Sequence, residues 1–219
     1  MVYYDIENKD IYDPIVKFIS EAFVKQNENF SGLSFSKNNS YKEKISTALN
    51  ILDTATPILG YALNKFVKQI LIVDSTVLIA TSSLAFLGLI VISPKNEWTL
   101  YDYMENLVHE LSHIELYIKQ LIDPLVATDA LLHSPFRLQK RPANAVFHAM
   151  FVLARIVLYL DGIYQHDIEC AVYQNHMARL ISLLTETAEQ FEDSSCLTPY
   201  GRNLMDDIQN LLLKVQGKY

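Results

Sequence analysis

Cysteine is nearly missing from this sequence: 219 residues contain two, Cys170 and Cys196, and neither belongs to a CxxC pair. Two thiols cannot build a disulfide scaffold, so a reducing compartment and chemically bland thiols are expected. Proline and glycine are also scarce, seven and six residues spread along the chain, which speaks against a flexible interdomain linker. Positive charge is in short supply, with 18 Lys and Arg against 25 Asp and Glu and a net charge of −7. No long basic run offsets that balance, so non-specific binding to nucleic acid is not expected. The apolar run "LAFLGLIVI" at 84–92 is too short to span a bilayer and reads as a buried strand. The N-terminus "MVYYDIENKD" is polar and acidic, unlike a signal peptide. Together these absences describe a soluble cytoplasmic protein with no membrane partner.

Half of the residues are hydrophobic and a fifth are charged, enough for one sizeable core. Helical spacing behind Asp13-Pro14 predicts a helix in "DPIVKFISEAFVKQ". "NENFSGLSFSKNNS" is a loop by composition. Two helices are expected in "YKEKISTALNILDTA" and "TPILGYALNKF", the second capped by Thr56 with Pro57 at its first position. From about Val67 the residues turn β-branched and apolar. "VKQILIVDS" and "LAFLGLIVIS" predict strands, with "TVLIATSS" a third short one. A long helix follows over 99–122, then a largely irregular segment "IDPLVATDALLHSPFRLQKR". Pro142 is expected to start the apolar helix "PANAVFHAMFVLARIVLYL", stopped at Asp161-Gly162, and two helices at about 164–192 and 199–216 end the chain. The fold class is therefore α+β, mostly helical, with a small sheet at about 67–93 packed against the 99–122 helix. A single domain, 1–219, is expected, with a core at about 67–162 and the helices of 1–66 and 163–219 around it.

The 99–122 helix carries "NLVHELSHIELYI". Residues four apart share a helical face, so His109 and His113 can reach one ion, with Glu110 about 100° round the helix. The flanks Leu107, Val108, Leu111, Ile114 and Tyr117 belong to a buried helix rather than to a solvated one. Two histidines need a third ligand. Zinc peptidases take it from a His six residues on, but position 119 is Lys, or from a Glu some twenty residues on, where only Asp129 and His133 occur. His148, alone on a very apolar helix, is the better candidate, ahead of His166, His176 and His133.

Of five arginines, three (Arg137, Arg141 and Arg155) fall close to His148. Arg155 lies two turns beyond it in an apolar setting, and a guanidinium there needs an anionic partner. One option is a structural ion pair with an acid of a neighbouring helix. The other is a pocket in which planar guanidinium forks grip a small dicarboxylate, as an iron oxygenase using 2-oxoglutarate requires.

"VHELSHIELYI" followed by "HSPFRLQKRPANAVFHAMFVLARI" resembles the HExxH-type 2-oxoglutarate-dependent peptide β-hydroxylases, tailoring enzymes of ribosomally made, post-translationally modified peptides. The matching residues are the HExxH helix, then Ser134, Pro135, Phe136, Arg137, Arg141, Pro142, His148 and Ala149, over roughly residues 75–160. Phe136 stands where Trp is common, and Leu-Gln-Lys separates the two arginine blocks. The resemblance implies Fe(II) at His109, His113 and His148, with 2-oxoglutarate held by arginine. Arg155 is favoured for the distal carboxylate, with Arg141 and Arg137 close behind. It further implies O2 as oxidant and a precursor peptide as substrate, engaged directly or through its leader. Glu110 is the remaining candidate catalytic residue, without an obligatory role in that chemistry. The first rival is a zinc metallopeptidase in which Glu110 is the general base. The second is a helical module without activity, its arginines paired to Asp or Glu.

Overall fold

The computed structural model describes residues 2–3, 9–24, 33–127, 130–164, 171–192 and 195–219. Its class is α+β and mostly helical, with seven α-helices, a small mixed sheet and a two-stranded hairpin among the described residues. The chain divides into two compact units, Met1–Ile114 and Glu115–Tyr219.

The first unit is a sheet with helices. Strand β1 (Val2–Tyr3) runs parallel to β3 (Gln69–Asp74), which runs parallel to β5 (Leu89–Ile92). Strand β4 (Ala80–Thr81) pairs antiparallel with β5, and β2 (Ser34–Phe35) pairs antiparallel with β3. Every residue of β5 is buried, as a strand covered on both faces must be. Leu71, Val73, Leu89 and Val91 pack with Ile19 of helix α1 (Lys9–Val24). Burying each such side chain contributes about 1.5–3 kcal/mol. Gly88 takes φ 89° just before β5, a left-handed turn that suits glycine.

Several boundaries differ from expectation. Helix α1 begins at Lys9, not at the Asp-Pro pair, and Pro14 lies inside it, beyond the first turn, where it removes the N–H that would donate to the carbonyl of Asp10. Ser34–Phe35, expected in a loop, pairs with β3, because edge pairing needs only two residues with free backbone groups. Helices α2 (Asn39–Ala55) and α3 (Pro57–Phe66) form as expected, but Thr56 does not cap α3 through its side chain. Its hydroxyl donates to Leu52 O at 2.8 Å and so serves the end of α2 instead.

Helix α4 (Leu100–Ile122) contributes residues to both units. Its start is closed reciprocally: Thr99 N–H donates to Asp102 Oδ2 (2.7 Å) and Asp102 N–H to Thr99 Oγ1 (3.4 Å). It ends before Asp123-Pro124, where the residue preceding proline is pushed out of the helical region.

In the second unit, helix α5 (Ala143–Tyr164) packs with α6 (Ala171–Glu192) and α7 (Pro199–Val215). The segment expected to be irregular contains a hairpin instead, β6 (Leu131–Ser134) with β7 (Gln139–Pro142). Its strands lack the alternating apolar pattern by which strands are recognised, since β7 reads Gln-Lys-Arg-Pro. Pro142 closes β7, and α5 begins one residue later. Gly162 does not stop α5, which runs on to Tyr164. Asp161 is buried there, accepting from Lys214 Nζ (3.0 Å), Lys218 Nζ (2.8 Å) and Tyr219 Oη (3.2 Å). Packing has overridden the local glycine signal. Ala143–Ile163 is also the one span among the described residues long and apolar enough to cross a membrane, and 72% of its apolar window is buried inside the protein.

Candidate metal centre

Helix geometry brings His109 and His113 together. Their Nε2 atoms lie 3.0 Å apart and their ring centroids 4.7 Å apart. Both rings are half-buried, while Leu107, Val108, Leu111 and Ile114 on the same helix are fully buried. Burial lowers the pKa of His109, which favours the neutral imidazole whose lone pair can bind a metal. An ion held at about 2.0–2.1 Å can bridge donors this close. A Glu110 carboxylate oxygen lies within 4.8 Å of the donor atoms of both histidines, so the three residues form one cluster able to hold an ion. The donor set therefore fits a divalent transition metal of borderline softness, iron or zinc.

Glu110 is buried, at 4% exposure. Ser82, which follows the edge strand β4, donates its hydroxyl to Glu110 Oε2 at 2.7 Å and to Glu110 O at 3.2 Å. Burial pushes the Glu110 carboxyl up to about 7, and the Ser82 hydrogen bonds only partly oppose it. Near neutral pH this group therefore exists in both protonation states. Sequence reasoning missed Ser82; its only signal is the "TSS" that ends the strand segment.

The remaining candidates lie in the second unit. His148 is half-buried on α5, with its ring centroid 5.5 Å from that of Tyr117. Arg155, favoured for a dicarboxylate, already has a carboxylate partner in the protein. Its Nη2 donates to Glu115 Oε1 and Oε2 at 2.6 and 2.5 Å, with side-chain exposures of 19% for Arg155 and 6% for Glu115. That is the ion-pair alternative which the sequence left open. Arg155 Nε is buried with no hydrogen-bond partner among the described residues. The signal for Glu115 was present: an acid inside the apolar stretch "HIELYI" needs a cation.

Arg141 is half-buried at the end of the hairpin, and Arg137 is exposed in its turn. Neither makes an ion pair among the described residues. His133 is exposed on β6 and His176 is half-buried on α6, while His166, Asp129 and Cys170 lie outside the described residues. Cys196 is a buried free thiol. No protein-family model matches the chain, and no curated protein matches it either.

Proposed function

We propose that the protein is an Fe(II)- and 2-oxoglutarate-dependent dioxygenase, acting in the cytoplasm, that hydroxylates the β-carbon of a residue in a ribosomal precursor peptide. The observation that carries this reading is the pair of imidazole nitrogens 3.0 Å apart on α4. It gains weight from the second block of the motif, "SPFRLQKRP", which is folded into a hairpin that leads straight into the His148 helix.

His109 and His113 would hold the iron, with His148 as third ligand. The assignment of His148 rests on motif order, the HExxH helix followed by the hairpin block and then by the helix that carries His148. When bound, the iron would couple decarboxylation of 2-oxoglutarate by O2, giving succinate and CO2, to insertion of the second oxygen atom into a peptide C–H bond. The protein's own residues then bind, orient and keep water out. Arg141 suits the distal carboxylate best, since it makes no ion pair among the described residues and is partly shielded from water. Arg155 is already paired with Glu115, and Arg137 faces solvent. Buried Leu107, Val108, Leu111 and Ile114 wall the helix behind the imidazoles, and Ser82 fixes the rotamer of Glu110.

Metal content and product identity test the reading together. Iron-reconstituted protein is expected to form succinate from 2-oxoglutarate under air. His109→Ala and His148→Ala should both lose iron. Arg141→Leu should keep iron while raising the 2-oxoglutarate requirement. Full iron content in His148→Ala removes it from the ligand set, and the absence of succinate with every peptide offered removes the dioxygenase.

A zinc peptidase is the second reading, and one observation favours it. A Glu110 carboxyl at about 7 is matched to general-base work at neutral pH. Peptide cleavage by zinc-loaded protein, abolished in Glu110→Gln, would establish it in place of the first.

A further inference from the structure

The β6–β7 hairpin has two unlike faces. Residues directly opposite one another share a face, so Leu132, Ser134, Gln139 and Arg141 form one and Leu131, His133, Lys140 and Pro142 the other. The first face is turned inward except at Gln139, which is exposed: Ser134 is buried, Leu132 and Arg141 are half-buried, and the strands rest on α5 and α6. All four residues of the second face are exposed.

Apolar side chains stand in water at this hairpin. Leu131 is 60% exposed, Phe136 41% and Leu138 81%. Leu138 also has φ 53°, in the left-handed region, and is the one described non-glycine residue with positive φ. A turn selected for its backbone alone would carry Gly or Asn there, without the steric cost that leucine incurs. The charge is one-sided as well. Residues 130–142 contain Arg137, Lys140 and Arg141 and no Asp or Glu, in a chain of net charge −7.

We propose that the outer face and turn of this hairpin dock an acidic peptide segment that carries an apolar side chain. Phe136 and Leu138 grip the apolar residue, and Lys140 pairs with a flanking carboxylate. Exposed apolar groups beside charges of one sign, here Arg137 and Lys140, mark a binding surface, and the charge selects the partner's sign. Four-residue strands span only about 13 Å. That is too small for the roughly 800 Å² per partner that a stable protein dimer buries, but it suits a short extended peptide. For the proposed enzyme, such a segment would be the recognition part of its peptide substrate. The surface is argued from its own exposure and charge, so its test is read as binding without turnover and stands apart from the metal chemistry.

The experiment is fluorescence anisotropy on the full, metal-free chain with a short labelled peptide of alternating Glu and Leu, compared with its Lys-Leu counterpart. The acidic peptide should bind, more weakly as salt rises, and the basic one should not. Lys140→Glu and Leu138→Gly should each weaken binding about tenfold. Leu138→Gly relieves the left-handed strain, so its Tm should hold or rise while affinity falls. A leucine with a purely structural role would show the reverse. Equal binding of both peptides, or unchanged affinity in both variants, overturns the proposal. So does a surface whose variants change the mass of the protein in solution, or its binding to phosphatidylserine vesicles, while peptide binding stays intact. The occupant would then be a second copy or a lipid.

Discussion

Replacing Glu110 by Gln puts the electrostatics of the candidate centre to a quantitative test. The carboxyl is 4% exposed, and burial raises it from an ordinary 4.5 to about 7. A carboxyl raised on folding holds its proton more tightly in the folded state. Its contribution to stability is thus fully present below about pH 4.5 and is lost as pH rises through about 7. That shift corresponds to about 3 kcal/mol, an upper bound because water can reach an opened site. Gln has the same shape, does not titrate, and can still accept the Ser82 hydroxyl. In metal-free protein, Glu110→Gln should therefore match the parent near the acid end and exceed it by up to about 3 kcal/mol at about pH 8. Urea unfolding across that range, after chelation, gives the difference directly. A difference that stays flat from acid to alkaline pH would refute the reasoning, because the carboxyl would then be solvated. With the His109–His113 pair intact, metal content should not change.

Arg155 and Glu115 lend themselves to a double-mutant cycle. Glu115→Leu strands a guanidinium that cannot lose its proton and should cost about 3–5 kcal/mol, whereas Arg155→Leu/Glu115→Leu should lie within about 1 kcal/mol of the parent or above it. A double variant as unstable as Glu115→Leu would show that the pair contributes through something other than mutual neutralisation. Asp161 predicts a loss of stability in acid. Burial pulls its carboxyl up, but hydrogen bonds from Lys218 and Lys214 outweigh that and hold it below the ordinary 3.8. Its contribution is present above that ordinary value and is lost as pH falls through the depressed one. Asp161→Asn should accordingly lower stability by about 1–3 kcal/mol at neutral pH and converge with the parent in strong acid, as followed by Tm against pH. A gap that persists in acid would assign the loss to packing.

How much of this was legible without coordinates depends on the range of the interaction concerned. Helical spacing placed His109 and His113 on one face of a 99–122 helix, and the helix is found at Leu100–Ile122. Runs of Ile, Val and Leu marked β3 and β5, and β5 is apolar throughout because every one of its residues is buried. These features are local: they follow from 3.6 residues per turn and from side-chain type. The β6–β7 hairpin escaped, because its strands are polar and its pairing is set by the turn that Leu138 makes and by support from α5 and α6. The continuation of α5 past Gly162 escaped for a similar reason, since Asp161 is held by lysines more than fifty residues away.

The candidate centre divides along the same line. Residue order alone identified the metal-binding spelling, the arginine cluster and the need of Arg155 for an anion. Only the tertiary structure supplied the partners: Ser82 on Glu110, twenty-eight residues apart, and Glu115 on Arg155, forty residues apart. A sequence can state that a buried charge requires a counter-charge, because desolvation makes that requirement absolute. Which of the chain's twenty-five acids meets it is decided by the folded path of the backbone, and no local pattern encodes that path.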